Sequence, residues 1–307
     1  MRLKTIALSL MSLLMVATST AKKPLWQGEG RIVISSDGNE HDHDDWAATP
    51  MSLALLAARG LQDRLALYTY SDHVWGSNQD KPMHMGMSAY EHMRESALGG
   101  AKHFGFDSSR FICAVDNAEV AYNAMRDQIN LSTKDNPLII IAAGPMQVVG
   151  EGLSRANVEC RQYVSVVSHS GWNNNHADRP YKSDWDKHTG WRFKEMQSAF
   201  GTPEGGSAKF IQIKDQNKGE DYIGLYTKMS RYDWVKESPA RNNPAYREGS
   251  WNWLYGRLGT CVKKGDNFDP SDAGMIIYIL TGEDKTNPDM AREIMENPTT
   301  ENGKKIK

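Results

Sequence analysis

Arg31-Ile-Val-Ile-Ser-Ser-Asp-Gly-Asn-Glu-His-Asp-His-Asp-Asp45 decides the fold class, because a buried-strand composition runs straight into clustered charge. Five of the nine residues from Asp37 to Asp45 are acidic and two more are histidines. An open α/β sheet places its ligands at the C-terminal ends of its strands. Charges of one sign at this density repel unless a cation or protons offset them. A hard metal ion at the end of the first strand is therefore the first expectation.

Working outward, strands alternate with helix-length segments. The pattern predicts a helix over 50–59, with Thr49 as its cap, Pro50 in its first turn and Gly60 past its end. Residues 65–70 read as a second strand ending in Ser71-Asp72-His73. A helical region covers 85–98, a short strand 111–115, and 117–128 carries apolar residues at helical spacing. Pro137-Leu-Ile-Ile-Ile-Ala-Ala143 is the clearest buried strand, Gly144-Pro145 turns it into a helix, and 163–167 is the next strand. Such alternation implies parallel βαβ units, hence an α/β fold with a mostly parallel, Rossmann-like open central sheet flanked by helices.

Beyond Ser168 the pattern loosens. Residues 169–192 are rich in Asn, Asp, His and Trp, and a loop that long in a compact domain is usually functional. One more strand fits 209–213, while 231–258 reads as loop. Asp269-Pro270 opens an apolar helix that ends near Leu280-Thr-Gly282, and roughly the last twenty residues read as a polar tail. No repeat, low-complexity segment or clean linker divides 22–307, which predicts a single domain.

Residues 1–21 have the pattern of an export signal: Arg2 and Lys4, an apolar run over 6–16, then Ser19-Thr-Ala21. The run is short for a membrane span, so a secreted or periplasmic location is expected. Removing Arg2 and Lys4 takes the formal charge from −2 to −4. A mildly acidic chain gives no electrostatic case for nucleic acid or an anionic membrane surface. Cys113, Cys160 and Cys261 form neither a disulfide framework nor a zinc-ribbon spacing.

Two metal chemistries fit the acidic run. Clustered oxygens suit a hard cation such as Ca²⁺, beside which a spare carboxylate can take a proton from water. The alternative is Zn²⁺: His41-Asp-His43-Asp-Asp45 resembles the His-x-His-x-Asp part of the metallo-β-lactamase motif, although Trp46 stands where that motif has His.

The run also resembles the nucleoside hydrolase-like superfamily. Its members open with a strand followed by Asp-x-Asp-x-Gly-x-Asp-Asp, and a secreted, poorly characterised branch carries Asp-x-Gly-Asn-Glu-Pro-Asp-Asp instead. Asp37-Gly-Asn-Glu40 with Asp44-Asp45 is similar to the second form, with extra residues before the final pair. Ala142-Ala-Gly-Pro145 resembles the turn whose carbonyl before Gly is a metal ligand in the family. Ser250-Trp-Asn-Trp-Leu-Tyr-Gly-Arg257 resembles the Trp-Gly-Gly-Trp-Gly-Gly-Arg signature of the secreted branch. Asp269-Pro-Ser-Asp272-Ala273 stands where the family has His-Asp-x-x-Ala, with the His missing. The resemblance implies cleavage of a glycosidic bond through an oxocarbenium-like state, in a nucleoside-like or carbohydrate substrate. Related folds often form dimers or tetramers, which leaves a homo-oligomer open by analogy.

The expected metal set is Asp37, Asp45, Asp272 and the Ala143 carbonyl. Asp44 or Asp42 is the candidate base, and His176 the candidate acid. Asn39, Glu40, Asp72 and His73 are expected to meet the sugar. So are Trp172, Asn173, Asn174 and Asn175, whose amides suit vicinal hydroxyls. Trp251, Trp253 and Arg257 are expected to close the pocket. A non-catalytic carbohydrate-binding protein is the alternative function, and a zinc-dependent ester or phosphoester hydrolase a weaker one.

Overall fold

A computed structural model describes residues 22–38, 44–75, 85–175, 177, 190–217, 223–262 and 266–307. The expected export segment, 1–21, lies outside them.

Six strands share one sheet: β1 (Arg31–Ser36), β2 (Leu65–Tyr70), β3 (Phe111–Cys113), β4 (Leu138–Ala143), β5 (Val164–Ser168) and β6 (Lys209–Gln212). Their order is β3-β2-β1-β4-β5-β6, and every neighbouring pair is parallel. The chain therefore builds outward from β1 to one side, then returns to β4 on the other. That reversal between β1 and β4 is the switch point at which doubly wound sheets bind their ligands. Register pairs Ser36 with Ala143, so the two strands end level.

The helices are α1 (Asp45–Ala57), α2 (Ala89–Arg94), α3 (Gly100–Phe104), α4 (Ala118–Asn130), α5 (Gln147–Arg155) and α6 (Val158–Arg161). After β5 come α7 (Gly171–Asn175), α8 (Phe193–Phe200), α9 (Trp234–Glu237), α10 (Ser250–Gly259), α11 (Gly274–Thr281) and α12 (Pro288–Glu296). Strand side chains alternate between faces. Val33, Ile140 and Val166 pack with α4, α5 and α8 on one face. Ile32, Ile34 and Ile141 pack with α1, α10, α11 and α12 on the other. All thirteen residues of α1 are buried, as a helix sandwiched between the sheet and an outer helical layer must be.

Four local expectations are corrected. α1 begins at Asp45 rather than at 50, because the Asp44 side chain caps it by accepting the Asp45 N–H (3.0 Å). The Pro50 ring then falls inside the helix, where it removes one N–H. The helical region over 85–98 starts at Ala89 behind a Ser88–Glu91 capping box, passes through a π turn at Glu95–Gly99 and continues as α3. The loop expected over 231–258 contains α10, whose buried face is Trp251, Leu254 and Leu258. The polar tail contains α12, capped by Asn287 and burying Ala291, Ile294 and Met295. No disulfide joins the three cysteines.

Candidate functional site

The described ends of the acidic run, Asp37-Gly38 and Asp44-Asp45, land on the switch point. Asp37 follows β1 directly, and its N–H donates to Ala143 O (3.2 Å) and to Asp45 Oδ2 (2.9 Å). The Gly38 N–H donates to Asp37 Oδ1 (2.6 Å). Asp37, Asp44 and Asp45 are buried, and one oxygen from each lies within 4.8 Å of the others. These contacts follow from the level ends of β1 and β4 and from the start of α1 directly above them.

The end of β2 adds a fourth carboxylate. The Asp72 N–H donates to Ser36 O (3.1 Å), and Ser35 Oγ donates to Asp72 Oδ2 (2.5 Å). Asp72 is fully buried, and its Oδ1 has no hydrogen-bond partner among the described residues. Gly144 makes the close approach feasible. At φ +154° it has no Cβ, and one would lie 3.0 Å from Asp37 Cβ, Asp37 N and Asp72 Oδ1 alike.

Asp272, in the 3₁₀ turn Ser271–Ala273 that leads into α11, lies close enough for its charge to act on Asp45 and Asp72. Its Oδ1 meets His169 Nε2 at 2.6 Å and accepts from Asn173 Nδ2 at 2.9 Å. His169 Nδ1 faces both the Gln216 N–H (3.2 Å) and Asp215 Oδ1 (3.7 Å). The ring is thus poised between a neutral form accepting from Gln216 and a charged form paired with Asp215. Burial pushes this imidazole down, but the carboxylates of Asp272 and Asp215 hold it up at about 9. His169 supplies to Asp272 an imidazole that the missing His beside Asp272 does not.

Electrostatic strain concentrates here. Burial, then the charges of Asp272, Asp44 and Asp37, push Asp45 well above the usual carboxylate range. Burial and the Asp37 charge raise Asp72 against the Ser35 bond, which lowers it. Five buried carboxylates with one imidazole among them need protons or a cation to coexist. The triad offers oxygen donors only, which fits a hard ion such as Ca²⁺ better than zinc. The histidines of the zinc alternative, His41 and His43, lie outside the described residues, as do Asn39, Glu40, Asp42 and His176.

Of the other expected residues, Asn173 and Asn174 are buried in α7, and Asn174 Oδ1 has no hydrogen-bond partner among the described residues. Asn175 is exposed and donates to Gly171 O (2.7 Å), while Trp172 is half-buried. His73 is buried edge-on against Trp75. The Ala143 carbonyl accepts the Asp37 N–H, which occupies one of its two lone pairs.

Trp251, Trp253 and Arg257, expected to close the pocket, all lie on α10. Trp251 is 1% exposed and packs edge-on against Trp234 and Tyr246 in the core, with no face left for stacking on a sugar. The Trp253 ring lies along His103, and its Nε1 donates to Glu95. Arg257 is buried, with its donors on Ser96 and His92. Helical spacing turns Trp251 and Arg257 into the body of the molecule, a placement that a loop reading misses. Sequence reasoning also passed over His169 and Ser35. Position at the C-terminal ends of β5 and β1 was the signal available for both.

A doubly wound α/β sheet with a buried acidic cup at its switch point thus defines the class of protein. No family model matches the chain. Over 277 residues, 87% of this chain and 89% of the relative, it is 31% identical to "Uncharacterized protein P22" of Formosa agariphila. The chain belongs to that protein's family.

Proposed function

We propose that this chain is a secreted, metal-dependent hydrolase of a glycosidic bond in a nucleoside-like or carbohydrate substrate. One observation carries the reading: three buried carboxylates within 4.8 Å of one another at the switch point, joined there by Asp72 and Asp272. The motif resemblance to nucleoside hydrolase-like proteins supports the choice of bond.

Asp37, Asp44 and Asp45 are the residues that would hold a hard dication such as Ca²⁺. When bound, such an ion lowers the pKa of water and offsets the clustered negative charge. Asp72 is assigned as the proton acceptor at Oδ1, since Ser35 occupies Oδ2 and orients the carboxylate. Asn174 Oδ1 is an acceptor for a substrate hydroxyl. Asp272 is held in place by His169 and Asn173.

The test is metal content and chelator dependence. About one Ca²⁺ per purified chain is expected, with hydrolysis in a screen of glycosides and nucleosides that stops on chelation and is absent in Asp45→Asn. Zinc as the sole bound ion, or hydrolysis indifferent to chelator, would overturn the assignment. Sugar binding without any hydrolysis would favour the carbohydrate-binding alternative.

A further inference from the structure

Pro50 starts a chain of contacts that ends beneath the acidic cup. Lacking an N–H, it leaves the Trp46 carbonyl without its helical donor, and Ser96 Oγ donates there instead (2.6 Å). Ser96 can reach because it sits in the π turn Glu95–Gly99, an irregularity often associated with function. Arg257, from α10, donates to Ser96 Oγ through Nη2 (2.7 Å) and Nε (3.2 Å), and to His92 O through Nη2 (2.9 Å). The His92 ring stacks on Trp46 at 4.2 Å and 18°. Trp46 Nε1 in turn donates to Gly38 O (3.0 Å). One turn earlier on α10, Trp253 grips the other side of the π turn, donating to Glu95 Oε1 (3.1 Å) and lying so close to Gly99 that a Cβ there would meet its ring at 2.5 Å.

We infer that Arg257 is a positioning residue for the acidic cup, acting through Ser96, His92 and Trp46 on Gly38. The inference rests on reading Asp37, Asp44 and Asp45 as the cation-binding set. Trp46 ties the residue after Asp37 to the residue after Asp45, so the spacing of those two carboxylates depends on where its indole sits. A site for a hard cation tolerates little drift, because ligand distances span only about 2.3–2.6 Å. Arg257 is buried, and among the described residues its hydrogen bonds go to a hydroxyl, a carbonyl and an imidazole nitrogen, not to a carboxylate. A buried guanidinium is costly unless its donors are satisfied, and here the forked donors span Ser96 and His92 together. Lysine presents a single point charge and cannot span both.

The experiment is residue-resolved amide exchange on the metal-free mature chain, paired with calorimetric Ca²⁺ titration, for wild type, Arg257→Met and Arg257→Lys. Both variants should exchange faster at Asp37, Gly38 and Asp45 while Ile140 in β4 stays protected. Ca²⁺ binding should weaken by about 10–100-fold, as for other residues that orient metal ligands. Trp46→Phe keeps a ring to stack on His92 and removes the N–H donated to Gly38. It should give the same pattern, and it carries the test if neither Arg257 variant folds. Unchanged exchange at the cup, or loosening shared equally by Ile140, overturns the inference. If wild type binds no Ca²⁺ while Arg257→Met still loosens the cup alone, the hydrolase reading falls and the positioning role stands.

Discussion

Asp45 is a carboxylate with almost no solvent contact, three like-charged neighbours and a backbone N–H to hold. Replacing it by Asn keeps an acceptor for the Asp37 N–H and removes one charge. Chelated Asp45→Asn protein is therefore expected to melt a few degrees above chelated wild type, corresponding to about 1 kcal/mol of relieved repulsion. Adding Ca²⁺ should no longer raise its melting temperature. A lower melting point in chelator would show that the like-charge repulsion is not real. Gly144→Ala acts on the same cup by crowding. A methyl 3.0 Å from Asp37 and from Asp72 Oδ1, at φ +154°, must push them apart. We expect a cost of about 1–3 kcal/mol in urea unfolding together with weaker Ca²⁺ binding, and equal Ca²⁺ affinity in the two proteins would remove Gly144 from the site. Asp37 and Asp45 could be singled out in the sequence because their charges are contiguous. The partnership of His169 with Asp272 could not, since 103 residues separate them and only the fold closes that gap.

At the scale of elements, the six strands of the central sheet were legible to within a residue or two, most clearly where two-face burial demands an unbroken apolar run such as Leu-Ile-Ile-Ile. The helices of the outer layer were not. α10 carries Asn252, two Gly and two half-buried aromatics, so its buried positions Trp251, Leu254 and Leu258 are diluted among residues that suit loops equally well. α12 hides similarly among polar neighbours, yet it is bound firmly. Arg59 Nη1 donates to Ile294 O (3.0 Å) and Asn297 O (3.0 Å), satisfying carbonyls at the end of α12. Arg59→Ala should lower stability by about 2 kcal/mol, the scale of losing charged hydrogen bonds to buried acceptors, and Met295→Ala by about 2–5 kcal/mol through the cavity it leaves. Urea midpoints would measure both. If neither variant moved the midpoint, α12 would be the loose tail that its composition suggests.

For the whole molecule, the proposed cation site predicts a stability that depends jointly on pH and on divalent ion. Asp45 and Asp72 are both raised above the ordinary carboxylate value of about 4, so the folded chain holds their protons more tightly than the unfolded chain does. Their contribution is therefore fully present below about pH 4 and is lost as pH rises through the higher folded values. His169 acts with the same sign in a later window. Held up at about 9, it contributes stability that is complete below about 6.5 and gone above 9. Chelated protein should accordingly lose stability steadily from weakly acidic to alkaline pH. Ca²⁺ binds only the deprotonated carboxylates, so its stabilisation must grow over the same range. The melting temperature with Ca²⁺ minus that with chelator should be near zero at pH 4 and should rise toward pH 8. At a free ion concentration of about 100 Kd the gain corresponds to about 2.7 kcal/mol. A difference that stays flat across this range would place the ion on ordinary surface carboxylates, because only a buried, proton-competing cup couples the two variables.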